Sequence, residues 1–168
     1  SYRVDTEYDR YFARLKSLTY PQSRLRLYQS YDINGYLQRE GDSNDQSVAN
    51  AYRHVMAMNA NGQVTHEHFG NGMDQFHDYL PDTFQMETTS LFKNGVMVSA
   101  YTYEYDLFGN LKQHEKLSNG ALEAENFIYD HLHRLTRSQR DGLAAIDYDY
   151  DALGNFVSKS DFASSYQY

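Results

Sequence analysis

Tyr-Asp returns along this chain at a nearly fixed interval, and an interval that regular leaves few folds open. Tyr31-Asp32-Ile33-Asn34-Gly35-Tyr36-Leu37 is one copy of a motif in which Tyr-Asp is followed by glycine and then an apolar residue. Tyr105-Asp106-Leu107-Phe108-Gly109-Asn110-Leu111 and Tyr150-Asp151-Ala152-Leu153-Gly154-Asn155-Phe156 are two more. Tyr8-Asp9 with Arg14-Leu15, and Tyr129-Asp130 with Arg134-Leu135, carry Arg-Leu in place of the glycine turn. Met58-Asn59-Ala60-Asn61-Gly62-Gln63-Val64 and a stretch from Tyr79 through Pro81 to Met86 are degenerate copies. Units starting near 8, 31, 58, 79, 105, 129 and 150 are separated by 23, 27, 21, 26, 24 and 21 residues.

A second turn series interleaves with the first: Asn71-Gly72, Asn94-Gly95, Asn119-Gly120 and Asp141-Gly142. Asn-Gly and Asp-Gly mark two-residue primed hairpin turns, which need positive φ at both central residues. Each unit therefore reads as two strands of about six to eight residues joined by two reversals. The fold class expected is all-β, a meander of antiparallel hairpins. Alternation agrees: Tyr101, Tyr103 and Tyr105 share one strand face, and so do Ile146, Tyr148 and Tyr150, and Leu25, Leu27 and Tyr31. Ala49 to Met58 and Ala121 to Phe127 are rich in helix formers, yet the repeat phase assigns both to strands. Gly41 to Ser47 reads as an enlarged loop.

Composition narrows the functions. The 168 residues carry 15 Lys+Arg against 23 Asp+Glu, a net charge of -8, the wrong sign for a nucleic-acid partner or an anionic membrane. No apolar run is long enough to span a membrane. With no cysteine, thiolate metal sites and cysteine nucleophiles are excluded. The 17 Tyr and 9 Phe favour strands over helices.

These motifs resemble the Rhs or YD-repeat family, whose unit carries Tyr-Asp, then Gly-Asn-Leu or Arg-Leu. The resemblance covers nearly the whole chain, 1–168, as a single repeat region, and the motifs at 129–135 and 150–155 are close to the family pattern. Leu80 and Phe84 depart from it where Asp and Gly are usual, and Met58-Asn59 replaces Tyr-Asp. The resemblance implies a long β-strip that, in bacterial Rhs proteins and in the B and C components of insecticidal toxin complexes, spirals into a hollow shell around a toxic C-terminal segment. Animal teneurins use a similar barrel in cell-surface adhesion. The family's self-cleaving Asp-Pro motif has no counterpart, since neither Pro21 nor Pro81 follows an Asp. The expectation is a fragment of a longer, secreted or cell-surface bacterial protein. Its partners would be the rest of the shell and an encapsulated toxin domain, with open sheet edges able to self-associate.

Candidate chemistry is sparse. His66-Glu67-His68, with His77-Asp78 nearby, is the best metal candidate, but two histidines make half a zinc site and a solvated strand face is the expected reading. Asp147, Asp149 and Asp151 form an acidic row too flat for calcium. No catalytic residue, cofactor or metal ligand is assigned, and no phosphate loop or nucleophile elbow occurs. The motif residues Tyr8, Asp9, Tyr31, Asp32, Gly35, Gly62, Tyr105, Asp106, Gly109, Asn110, Tyr129, Asp130, Arg134, Tyr150, Asp151, Gly154 and Asn155 are assigned structural roles, with the aspartates as turn formers. The alternative is a glycan- or receptor-binding surface using exposed Tyr faces.

Overall fold

The computed structural model describes residues 3–21, 25–43 and 47–162. Among these residues fourteen strands follow one another in sequence order, each antiparallel to the next. They are β1 (Asp5–Tyr8), β2 (Leu15–Thr19), β3 (Arg26–Tyr31), β4 (Leu37–Gly41), β5 (Ala51–Met58), β6 (Val64–Phe69) and β7 (Met73–Tyr79), then β8 (Met86–Lys93), β9 (Val96–Tyr105), β10 (Leu111–Ser118), β11 (Ala121–Tyr129), β12 (Leu135–Arg140), β13 (Ile146–Tyr150) and β14 (Phe156–Lys159). The fold is all-β, and the two helix-prone stretches are strands: repeat phase and cross-strand pairing override intrinsic propensity. Only Val48–Asn50, at the head of the first, forms a 3-10 turn. There the buried Arg39 guanidinium donates to the carbonyls of Ser43, Ser47 and Asn50, gathering them around itself and delaying the strand to Ala51. Of the expected Gly41 to Ser47 loop, residues 44–46 lie outside the described residues.

Each motif tyrosine closes its hairpin against the apolar residue beyond the turn: Tyr8 pairs with Leu15, Tyr31 with Leu37, Tyr105 with Leu111, Tyr129 with Leu135 and Tyr150 with Phe156. Met58 pairs with Val64 in the same way. At every one of these six ends the register shifts, leaving Lys16, Gln38, Thr65, Lys112, Thr136 or Val157 bulged out of the ladder. A bulge kinks the strand and adds twist.

The second turn series is mixed. Asn94-Gly95 and Asn119-Gly120 are two-residue primed turns, with φ of 52 and 76°, and 52 and 77°. At Asn71-Gly72 and Asp141-Gly142 only the glycine is at positive φ, which corrects the expectation of four primed turns. The reason lies in the neighbouring strands. Gly70 donates to the Tyr52 carbonyl and makes the first loop three residues long, with Phe69 opposite Met73. Asp141 is tied to Ala124 both through its own N–H and through Oδ2, which holds it over β11.

Among the described residues Ala51 and Val55 are the only fully buried hydrophobics. A sheet ordinarily buries one face against a second layer; here the strands are held by ladder hydrogen bonds and cross-strand pairs, with half-buried side chains on both faces. Contacts group the strip into two compact units. The first comprises Ser1–Asp78 with Ser90–Met97, the second Tyr79–Thr89 with Val98–Tyr168.

Candidate functional site: the Tyr-Asp turns

The repeat motif closes seven turns, six of them around an Asp or Asn side chain. In the turn at Asp106, the Asp106 N–H donates to the Asn110 carbonyl and the Gly109 N–H donates to the Asp106 carbonyl. Asp106 Oδ1 accepts from the N–H groups of Phe108 and Asn110, both at 2.9 Å, and Oδ2 accepts from Asn110 Nδ2 at 2.8 Å. One carboxylate thus satisfies the donors that a tight reversal would strand. Asp151 repeats this set with Leu153 and Asn155, and Asp32 caps Asn34 and Tyr36. The closing bond recurs in all seven turns, including Asn59 to Gln63 and Leu80 to Gln85. Side-chain hydrogen bonds from Asn110, from Asn155 and from Arg14 hold the carboxyls of Asp106, Asp151 and Asp9 below the usual range. Asp130 is lowered first by the Arg134 N–H and then by the Arg134 side chain.

The variant motifs reach the same geometry by other means. Arg134 donates through Nε to Asp130 Oδ2 at 2.7 Å, taking the part that Asn110 plays; Arg14 does so for Asp9 at 2.9 Å. Gly35, Gly62, Gly109 and Gly154 sit at φ of 91, 76, 85 and 91°, and in the Arg-Leu units Ala13 and His133 take that left-handed position at 53 and 61°. Arg-Leu therefore accompanies the turn rather than replacing it. In the third unit the polarity is exchanged. Asn59 Oδ1 caps the Asn61 and Gln63 N–H groups, while its Nδ2 donates to Gln63 Oε1 at 2.9 Å.

The tyrosines join one turn to the next. Tyr31 Oη donates to the carbonyl of Leu15, Tyr105 to Met86, Tyr129 to Leu111 and Tyr150 to Leu135, each at 2.9 Å. In every case the acceptor is the first residue after the preceding motif turn, which for Tyr105 is the degenerate Tyr79-Leu80 one. Burial raises the pKa of all four phenols. Two of the rings also carry the previous unit's arginine, with Arg14 4.5 Å above Tyr31 and Arg134 4.8 Å above Tyr150. In the second unit of the strip, Gln85 Nε2 donates to the Gly109 carbonyl, Asn110 Nδ2 to His133 Nδ1, and Arg134 to the Asp151 carbonyl, so successive turns are bonded tip to tip. Between two of them lies a hollow of about 510 Å³ lined by Phe108, Phe127, Tyr129 and His133. The turn tips themselves are apolar and exposed at Ile33, Leu107, Phe108 and Leu153.

The other candidate residues do not converge on chemistry. His66 Nε2 and His68 Nδ1 each lie 3.0 Å from Asp74 Oδ1, and the two histidines hold that carboxyl below its usual range. His66 is stacked on Phe76 at 4.2 Å. Glu67 and His77 lie apart from them, buried together at 3.5 Å beside Arg53, and this corrects the expectation of a solvated strand face. The alternation of β6 sends Glu67 to the opposite face from its two histidine neighbours. Asp147 is paired with Arg137, Asp149 accepts from Ser158 Oγ and Asp151 closes its turn, so each member of the acidic row has its own partner. Among the described residues no three His, Cys, Asp or Glu side chains are placed to hold a metal ion, and no helix is long and apolar enough to cross a membrane.

No protein-family model matches the chain, and no curated protein matches it. A solved structure does: the crystal structure of TcdB2-TccC3-Cdc42 contains a stretch that superposes with a TM-score of 0.73 at 18% sequence identity. The match covers 98% of this chain and 9% of that one. The strip of hairpins is thus a fold that this chain shares with a small part of a much longer polypeptide.

Proposed function

We propose that this chain is a wall segment of a shell of the Rhs or YD-repeat kind, enclosing a C-terminal toxin within a bacterial secreted or toxin-complex protein, and that it is not an enzyme. One observation carries the reading: apart from Tyr8, the polar motif side chains close a turn or tie that turn to the next. Such a strip lengthens by repetition, and its hydrogen-bonded backbone is a barrier rather than a reaction centre. The fold shared with a stretch of TcdB2-TccC3-Cdc42 supports the same reading, because there the strip makes up 9% of a far longer chain. Glycan binding is disfavoured by the tyrosines. Four motif hydroxyls that a sugar would have to engage already donate to carbonyls, and two of the rings are covered by arginine.

Limited proteolysis of the longer protein that carries this segment tests the reading. The expected result is a C-terminal segment that resists protease in the native protein and is cut once Asp106→Ala and Asp130→Ala open two adjacent turns. Equal cleavage of that segment in the native and substituted proteins would rule out a wall.

A further inference from the structure

We infer that the hollow between the turns at Asp106 and Asp130 is a binding site for a guanidinium group, the head of an arginine side chain on a separate protein segment. The repeat itself shows what such a place holds. In the next turn along, the guanidinium of Arg134 makes three contacts. Nε donates to Asp130 Oδ2 at 2.7 Å, Nη1 donates to the Asp151 carbonyl at 3.1 Å, and the group lies 4.8 Å above the Tyr150 ring. Its partners are thus the carboxylate of its own turn, the aspartate carbonyl of the following turn and the tyrosine that leads into that turn. Arg14 makes the first and third of these contacts, to Asp9 Oδ2 at 2.9 Å and over Tyr31 at 4.5 Å.

One turn before Arg134, the same position is Asn110. Its Nδ2 reaches Asp106 Oδ2 and His133 Nδ1, and the side chain is too short to cover the tyrosine ring beyond. The groups that a guanidinium engages in the next turn correspond here to Asp106, Asp130 and Tyr129, and all three line the hollow of about 510 Å³. In the hollow beside Arg14, of about 520 Å³, Arg14 itself forms the wall and Tyr31 does not. Longer residues close the gap at other turns: Tyr36 packs against Gly62, and Gln85 donates to the Gly109 carbonyl.

Charge agrees with the geometry. Asp9 and Asp130 are ion-paired with the arginine of their own turn, whereas among the described residues no lysine or arginine is paired with Asp106. Asp106 Oδ2 accepts a hydrogen bond from Asn110 and has a lone pair left for a second donor. Lys112 lines the same hollow but lies 3.8 Å from Glu104, which answers its charge. Phe108 and Phe127 complete an aromatic wall with Tyr129. A planar guanidinium stacks on such rings while donating to a carboxylate, which a compact ammonium does less well. The net charge of -8 favours approach of a cationic partner. The inference rests on the geometry of the turns and does not depend on the proposed shell.

The test titrates the whole chain with the peptide acetyl-Gly-Arg-Gly-amide, and with counterparts carrying lysine or citrulline in place of the arginine, and follows the ring resonances of Phe108, Phe127 and Tyr129. The arginine peptide is expected to shift these resonances saturably, and either counterpart to bind about ten-fold more weakly, in line with the loss of a charge-assisted hydrogen bond. Asn110→Arg supplies the guanidinium from within, as Arg134 does for the next turn. With its β-type circular dichroism retained, this variant is expected to show no titration. Equal affinity for the arginine peptide and either counterpart would overturn the inference, as would the absence of a saturable shift or an unchanged titration in Asn110→Arg. Should that variant not fold, Phe108→Ala trims the wall at an exposed turn tip and is expected to weaken the arginine peptide; an affinity equal to the parent's would overturn the assignment of the site to this hollow. The comparison of the three peptides uses the parent chain alone and stands whether or not either variant folds.

Discussion

A phenol that ends on a backbone carbonyl two turns away from its own is a strong constraint for a single residue to impose, and its removal is easy to measure. Tyr129→Phe keeps the ring and deletes the bond to the Leu111 carbonyl; the expected loss is about 1 kcal/mol, read as a lower denaturant midpoint at constant slope. The same residues set two limits in pH. Asp9, Asp106, Asp130 and Asp151 have carboxyls lowered by their turns, so their contribution is present above the ordinary aspartate value and is lost as pH falls through the lowered folded values. Tyr31, Tyr105, Tyr129 and Tyr150 have phenols raised by burial, so theirs is present below about pH 10 and is lost as pH rises through the raised folded values. Melting temperature against pH should therefore show a plateau with a fall on each side, and a curve that stays level from pH 9 to 12 would contradict the tyrosine half. The aspartates could be read from the sequence as turn formers because the bonds they make are local. The target of each tyrosine could not, because it sits on another strand.

At the scale of the element, the turn glycines and asparagines divide by the sign of φ. Gly154 lies at φ 91° with open space around the position of a Cβ, so Gly154→Val carries backbone strain alone, about 1–2 kcal/mol. Asn119, at φ 52°, should lose a similar amount on replacement by valine, whereas Asp141→Val loses its bond to the Ala124 N–H without placing a branched residue in the left-handed region. Equal denaturant midpoints for Asn119→Val and the parent would refute the primed turn. From sequence these two sites look alike, since both pair a short polar residue with glycine. What separates them is the strand alongside, which grips Asp141 and leaves Asn119 alone. The bulges escape a sequence reading for a related reason. Lys16, Gln38, Thr65, Lys112, Thr136 and Val157 share a place after the turn but no side-chain chemistry, because what they have in common is a break in pairing. The metal candidate shows the opposite case: alternation separates Glu67 from His66 and His68, but the convergence of both histidines on Asp74 requires the register of β6 on β7.

Across the chain, stability has to come from neighbours in sequence. With Ala51 and Val55 as the only fully buried hydrophobics among the described residues, there is no central core whose loss would melt every strand together. Four motif units are instead tied to the one before through a tyrosine bond, and three turns of the second compact unit to the one after through Gln85, Asn110 and Arg134. Proteins of this kind gain stability as a sum over repeats and nearest-neighbour interfaces. The repeat period, legible from Tyr-Asp spacing alone, already contains this property, whereas the extent of burial was hidden: an aromatic stripe looks the same whether a second layer covers it or not. Truncation after Arg140 removes β13, β14 and the bond from Tyr150 to Leu135, yet it leaves the Tyr105 and Tyr129 bonds and all of β1 to β12 in place. The shortened chain is expected to keep its β-type circular dichroism in proportion to its length and to unfold at a moderately lower denaturant concentration with a smaller slope, since less surface is exposed. A chain held by one shared core would behave differently, losing all strand signal when its last two strands are removed. That outcome would replace the neighbour-to-neighbour account with a globally cooperative one.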